Sequence, residues 1–256
     1  MIVKYDKDFG LIENFEHDST APIGIGNNLF VNFTNYCDFD YQKIDDEICL
    51  GLATTNLEKF PMVNGSIPPK LKEKEIDAEF EKTIMLNYKG DRKALSGLTD
   101  QEKRKYLFFR HKSLIPWFFI LELKPNKFSS KTKNLHPWSS VIEKFPYTKE
   151  CIEKLPFSEI GRVVIYGSWP EARVPCHRDT KPTVKFNHHI NFNPGGYRPV
   201  YIYNSVTDSK VYLPEDYKLY AYNTSDYHGV DALPYFSYTV RVDGIYDKNI
   251  QDFIAS

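Results

Sequence analysis

His177 and Asp179, in Pro175-Cys-His-Arg-Asp-Thr180, stand two residues apart, so in an extended backbone their side chains leave on one face and can converge on a single ion. One imidazole and one carboxylate do not complete a coordination sphere. A second imidazole, His228 in Asp226-Tyr-His-Gly229, would make a face of two histidines and one carboxylate with positions left open, an arrangement suited to non-haem iron(II). Ligand type alone admits zinc equally. A His-x-Asp tripeptide arises readily by chance in 256 residues that include 7 histidines, so its placement says more than its presence. It follows a strand-like run at 162–167 and precedes another at 184–191, which puts it at a rim, where β-barrels carry their chemistry.

A guanidinium joins this set from a later strand. Across 236–244, alternation puts Tyr238, Val240 and Val242 on one face and Ser237, Thr239, Arg241 and Asp243 on the other. The polar face of a barrel strand looks inward. An arginine there is costly unless paired, and its planar fork suits a carboxylate. Two readings follow: Arg241 receives an acidic ligand, or it forms an ion pair with Asp243 or another acid.

Together, His177-x-Asp179, His228 and, thirteen residues on, Arg241 resemble the Fe(II)- and 2-oxoglutarate-dependent oxygenases, over roughly residues 160–246. The resemblance implies a double-stranded β-helix core of the jelly-roll, cupin-like type. It implies Fe(II) held by His177, Asp179 and His228, with 2-oxoglutarate bound to the metal and its far carboxylate on Arg241, Arg198 and Lys210 being the alternatives. Dioxygen would take the remaining position and ascorbate could support turnover. The reaction implied is hydroxylation of an unactivated C–H bond, with succinate and carbon dioxide as co-products.

Within that superfamily the detail looks closest to the aspartyl/asparaginyl β-hydroxylase-like branch. Its Arg-x-His-aliphatic pattern falls on Asn187-His188-His189-Ile190, where His189 matches and Asn187 departs from it; Arg241 also lies a few residues later than in that branch. His189 and Asn187 would reach the cosubstrate, although capping a loop or facing solvent suits them as well. The branch points to an amino acid or a peptide or protein side chain as substrate. A nucleobase-oxidising dioxygenase, a zinc hydrolase on the same ligands and a non-catalytic jelly-roll binding module are the competing readings.

The elements that must position these residues read as mainly β with flanking helices. Short alternating runs separated by Pro, Gly, Asn and Asp make an all-β core, and 41% hydrophobic residues are enough to fill it. The division expected is an N-terminal region of loops, strands and helices at 1–110, packed on a catalytic core at 111–256 as one compact unit. The apolar run at 115–121 is far short of the roughly 20 residues that span a bilayer and reads as a buried strand opening the core sheet. In the sequence 29–33 a further short run interrupts irregular chain. Helices are expected over 71–86, from the capping box at Thr99 and Glu102 toward Phe109, and from near Ser139 or Thr148 to before Pro156, all buttressing one face of the barrel.

Charge excludes little but weighs against some partners. A net charge of -1 and a pI near 6.7 supply no global field for nucleic acid or acidic lipid, so neither is an expected partner. The lysines and arginines of the middle of the chain are interleaved with acids, as on a solvated helix face. Cys37, Cys49, Cys151 and Cys176 form no Cys-x-x-Cys pair, which suggests reduced thiols, and no secretory pattern opens the chain. A cytoplasmic location is the expectation; oligomeric state is not legible.

Overall fold

The computed structural model describes residues 4–6, 10–12, 19–56, 96–99, 101–103, 106, 119–125, 137–168, 173–179, 188–250 and 254. A small antiparallel ribbon joins β1 (Lys4–Asp6) to β2 (Gly10–Ile12). The remaining strands are β3 (Phe30–Asn32), β4 (Phe119–Lys124), β5 (Phe157–Ser168), β6 (Val174–His177), β7 (His189–Phe192), β8 (Val200–Asn204), β9 (Ser209–Tyr212), β10 (Leu219–Tyr222), β11 (His228–Val230) and β12 (Ser237–Tyr246). The helices α1 (Tyr41–Ala53) and α2 (Pro146–Glu153) and a 3-10 turn at Ser140–Lys144 accompany them.

The larger sheet has the order β3-β10-β7-β12-β5-β4 and the smaller one β6-β11-β8-β9, every pairing being antiparallel. From β5 onward the chain shuttles between them. β5 lies in the large sheet, β6 in the small, β7 in the large, β8 and β9 in the small, β10 in the large, β11 in the small and β12 in the large. That winding is the double-stranded β-helix, a jelly roll in which two sheets face one another and antiparallel edges are kept short. β3 and β4 extend the large sheet on its two sides, so the N-terminal region contributes a strand to the core sheet itself.

The winding follows from the residues. β5 and β12 form the long central ladder, and Val163, Val164, Ile165, Val240 and Val242 are all fully buried in it. β-branched side chains suit a pleated surface that is covered on both sides. β9, at the outer edge of the small sheet, is exposed throughout.

Among the described residues, helices cover the outer face of the large sheet. Ile44, Ile48 and Leu52 recur at helical spacing along α1 and are each 0% exposed. They pack, with Cys151 and Ile152 of α2, against Leu121, Val163, Ile165, Phe192, Leu219 and Val240. Each such aliphatic side chain stabilises the fold by about 1.5–3 kcal/mol. Asp40 caps α1 by accepting from the Lys43 N–H at 3.0 Å. The Tyr238 hydroxyl, donating to Asp45 at 2.6 Å, ties α1 to β12.

Several expectations meet the structure here. The alternation in β12 is as read: Tyr238, Val240 and Val242 join the helix-covered core, while Thr239, Arg241 and Asp243 lie on the opposite face. The capping box is formed, with the Thr99 N–H on Glu102 Oε2 at 2.7 Å and the Glu102 N–H on Thr99 Oγ1 at 3.3 Å. The helix expected near Ser139 or Thr148 is split into a 3-10 turn and α2, because Pro146 has no N–H to continue the first and is well placed to start the second. The expected helix at 71–86 lies outside the described residues. Among the described residues, no helix is long and apolar enough to cross a membrane.

Candidate metal centre

His177 ends β6 and His228 begins β11, and the two are direct partners in the antiparallel ladder between those strands. Paired residues project on the same side of a sheet. Their rings stand 4.4 Å apart, centroid to centroid. Asp179 follows just beyond the end of β6, where its N–H donates to the Thr224 carbonyl at 2.9 Å. Arg178, between them, turns away and lies over the Tyr227 ring at 4.6 Å. Sequence spacing and sheet register thus converge: the ligand atoms of His177, Asp179 and His228 all lie within 4.8 Å of one another.

Protonation states suit a metal. His228 Nδ1 lies 2.9 Å from the Asp226 carbonyl oxygen, which only accepts, so Nδ1 carries the hydrogen and Nε2 presents its lone pair. Burial, and then the neighbouring His177, push the His228 imidazole down to about 4, leaving it neutral near pH 7. For Asp179, burial would raise the carboxyl. The hydrogen bond from His177 and the charges of His228, Arg241 and His177 outweigh that, and hold it well below the usual carboxylate range. Two imidazoles and one carboxylate fit iron(II), with open positions for further ligands.

The carbonyl that fixes His228 is itself braced. Asp226 accepts the Ile23 and Gly24 N–H groups, both at 2.7 Å, and Asn223 Nδ2 donates to the Gly24 carbonyl at 3.1 Å. Gly24 has φ +70°, and a Cβ there would stand 2.6 Å from the Asn28 carbonyl oxygen. Only glycine fits comfortably. The sequence displays Asp226 beside His228, but nothing in the spacing reveals that its carboxylate clamps a loop two hundred residues away.

Between the sheets, polar side chains are buried beside an apolar cluster of Phe30, Val200, Ile202 and Leu213. Register places His189 opposite Asp243, and Asn191 opposite both Arg241 and Tyr220. Tyr222 lies edge-on to His189 at 5.1 Å and 5.0 Å from the His228 ring. Thr239 donates to the Phe192 carbonyl at 3.1 Å and also bonds Asn193, whose Nδ2 donates to the Tyr220 hydroxyl at 3.2 Å.

Arg241 forms two ion pairs. Its Nε donates to Asp243 Oδ1 at 2.7 Å and one terminal nitrogen to Asp179 Oδ2 at 3.2 Å. It therefore borders the metal set and holds the carboxylate oxygen opposite to Oδ1, the oxygen that lies 3.4 Å from His177 Nε2. His189 is fully buried in the same interior, and Asn187 lies outside the described residues. Of the two alternative cations, Lys210 is far from the interior, on the exposed edge strand, paired with Asp231 at 2.8 Å. Arg198 is buried inside. Tyr220 and Tyr222, which line this interior, escaped the sequence reading; their spacing of two, with Leu219 and Ala221 between, is the signal that locates them.

Comparison with solved structures gives matches of low similarity. One is an oxidoreductase of the 2OG-Fe(II) oxygenase family from Burkholderia pseudomallei, at 8% identity, covering 49% of this chain and 67% of that one, with a TM-score of 0.34. A second is a Pseudomonas putida prolyl-4-hydroxylase, at 7% identity over 78% of this chain and 99% of that one, with a TM-score of 0.31. A third is a prolyl hydroxylase from Trichoplax adhaerens in complex with a hypoxia inducible factor oxygen degradation domain peptide, at 11% identity over 87% and 99%, with a TM-score of 0.34. No protein-family model matches the chain, and no curated protein matches it in sequence.

Proposed function

We propose that this chain is an Fe(II)- and 2-oxoglutarate-dependent dioxygenase that hydroxylates an unactivated C–H bond in an amino acid or in a peptide or protein side chain. The observation that carries the reading is the cross-strand pair His177 and His228 with Asp179 inside 4.8 Å, set at the mouth of a double-stranded β-helix. Iron(II) and 2-oxoglutarate, when bound, supply the oxidation: one oxygen atom of dioxygen enters the substrate and the other enters succinate as carbon dioxide leaves.

The chain's own residues do the positioning. Asp226 fixes the His228 tautomer, Arg241 holds the outer oxygen of Asp179, and His189, Tyr222 and Asn191 wall the space a cosubstrate would occupy. Residues 1–110 serve as a region packed on the 111–256 core, supplying β3 to the large sheet and the Ile23–Gly24 backbone that steadies Asp226. The finer likeness, to the aspartyl/asparaginyl β-hydroxylase-like branch, rests on His189 and favours an amino-acid side chain over a nucleobase. With no basic field on the chain as a whole, nucleic acid is a poor partner.

The test is aerobic incubation with iron(II), ascorbate and 2-oxoglutarate against pools of amino acids and peptides, with succinate as the readout. Succinate should exceed the level of a His177→Ala control and rise further with the right pool. Equal succinate from the two proteins across all pools would count against the proposal, and metal-dependent hydrolysis without succinate would favour the zinc alternative.

A further inference from the structure

Arg198 stands just before β8, in the interior between the sheets, and is 5% exposed. One terminal nitrogen donates to the Ser168 hydroxyl at 2.9 Å, and its Nε has no hydrogen-bond partner among the described residues. No carboxylate among the described residues pairs with it. The groups that interact with it electrostatically are the buried phenols Tyr220 and Tyr222, and neither is a carboxylate. A guanidinium keeps its proton under any ordinary condition, and withdrawing one from water with no counter-charge costs several kcal/mol. Arg241 is the opposite case. Two carboxylates already neutralise it, and one of them belongs to the metal set.

We infer that Arg198, with Ser168 and the Tyr220 and Tyr222 hydroxyls around it, is the receptor for the far carboxylate of the oxo-acid cosubstrate, and that Arg241 is a positioning residue for Asp179. The inference rests on the iron and 2-oxoglutarate reading above. It assigns the two arginines differently from the sequence, which points to Arg241 because of its distance from His228. The physical ground is that an anion gains most where the protein has left a desolvated cation uncompensated. Tyr222 links the two places: its ring stands 5.0 Å from that of His228, and it interacts electrostatically with Arg198.

The experiment is calorimetric titration of manganese(II)-loaded protein, without dioxygen, with 2-oxoglutarate and with 2-oxobutanoate, a 2-oxo acid that lacks the far carboxylate. Wild type should prefer 2-oxoglutarate by at least about 100-fold, the worth of a two-pronged charged hydrogen bond in a dry site. Arg198→Met should bring that preference to within about threefold of unity while manganese and 2-oxobutanoate still bind as in wild type. Arg241→Met should keep the preference and bind manganese more weakly. Loss of the preference in Arg241→Met alone, or its retention in both variants, overturns the assignment while leaving the dioxygenase reading intact. Wild type that binds manganese but neither oxo acid overturns both. If circular dichroism shows that Arg198→Met does not fold, Arg198→Lys replaces it: a point charge in place of the fork should lower the preference about tenfold, and an unchanged preference overturns the assignment.

Discussion

At the scale of single residues, the site depends on hydrogen bonds that orient ligands as much as on the ligands themselves. Arg241 reaches Asp179 Oδ2 at 3.2 Å while Oδ1 faces the histidines, so the carboxylate is held for binding through one oxygen. Removing an orienting partner of a metal ligand typically costs about 10–100-fold in affinity, and Arg241→Met should raise the manganese(II) Kd by at least about tenfold, as measured by titration with a competing chelator. His188 gives a second prediction. Its Nδ1 accepts the Tyr246 N–H at 3.1 Å and its ring stacks on Tyr246, 4.5 Å between centroids. Burial lowers this imidazole from its ordinary 6.5. The unfolded chain therefore takes up the proton first, so the stability His188 contributes is complete above its ordinary value and is lost as pH falls toward the lowered folded value. The stability difference between wild type and His188→Gln, from urea unfolding, should be larger near about pH 7.5 than near about pH 5.

At the scale of elements, two contacts decide whether the site is presented at all. Glu47 on α1 caps the start of α2, accepting the Tyr147 N–H at 2.8 Å, the Thr148 N–H at 2.7 Å and the Thr148 hydroxyl at 2.6 Å. No side chain of its own loop performs that task. Glu47→Ala should cost about 1–2 kcal/mol, visible as a lower thermal midpoint, with metal affinity unchanged. Gly229 follows His228 in a central strand, where a Cβ would strike the Tyr201 ring and come 2.8 Å from the Val174 carbonyl oxygen. The Val174 carbonyl cannot retreat without moving β6. Gly229→Ala should shift His228 from the metal position and weaken manganese(II) binding more than it lowers the thermal midpoint.

The elements also show what a sequence can disclose. Period-two alternation in β12 and at His189 to Phe192 correctly separates the helix-covered face from the interior, because burial on one side of a strand writes itself into alternate residues. His177, Asp179 and His228 were legible for the same reason: a strand pair needs only correct register to bring its ends together. Arg241 was legible as an inward cation but not as the partner of Asp179, and Arg198 only as an alternative. Which of two buried arginines has acids beside it depends on loop ends and cross-sheet distances, and no local pattern encodes those. The clamp of Asp226 on Ile23 and Gly24 was hidden in the same way.

At the scale of the whole molecule, the fold separates two interiors. An apolar one lies between the large sheet and the helices; a mixed one lies between the sheets, where His189, Asn191, Arg198 and His228 are buried alongside the apolar cluster of Phe30, Val200, Ile202 and Leu213. The strand order that alternates between sheets puts the metal set at the mouth of the second. That separation lets the site be altered without emptying the core, so variants at the metal ligands should remain folded. The most direct measurement is the metal content of wild type against His177→Ala, Asp179→Ala and His228→Ala after anaerobic reconstitution with iron(II) and desalting. Wild type should retain one iron per chain and each variant nearly none, with unchanged circular dichroism. Iron retained equally by all four proteins would contradict the account.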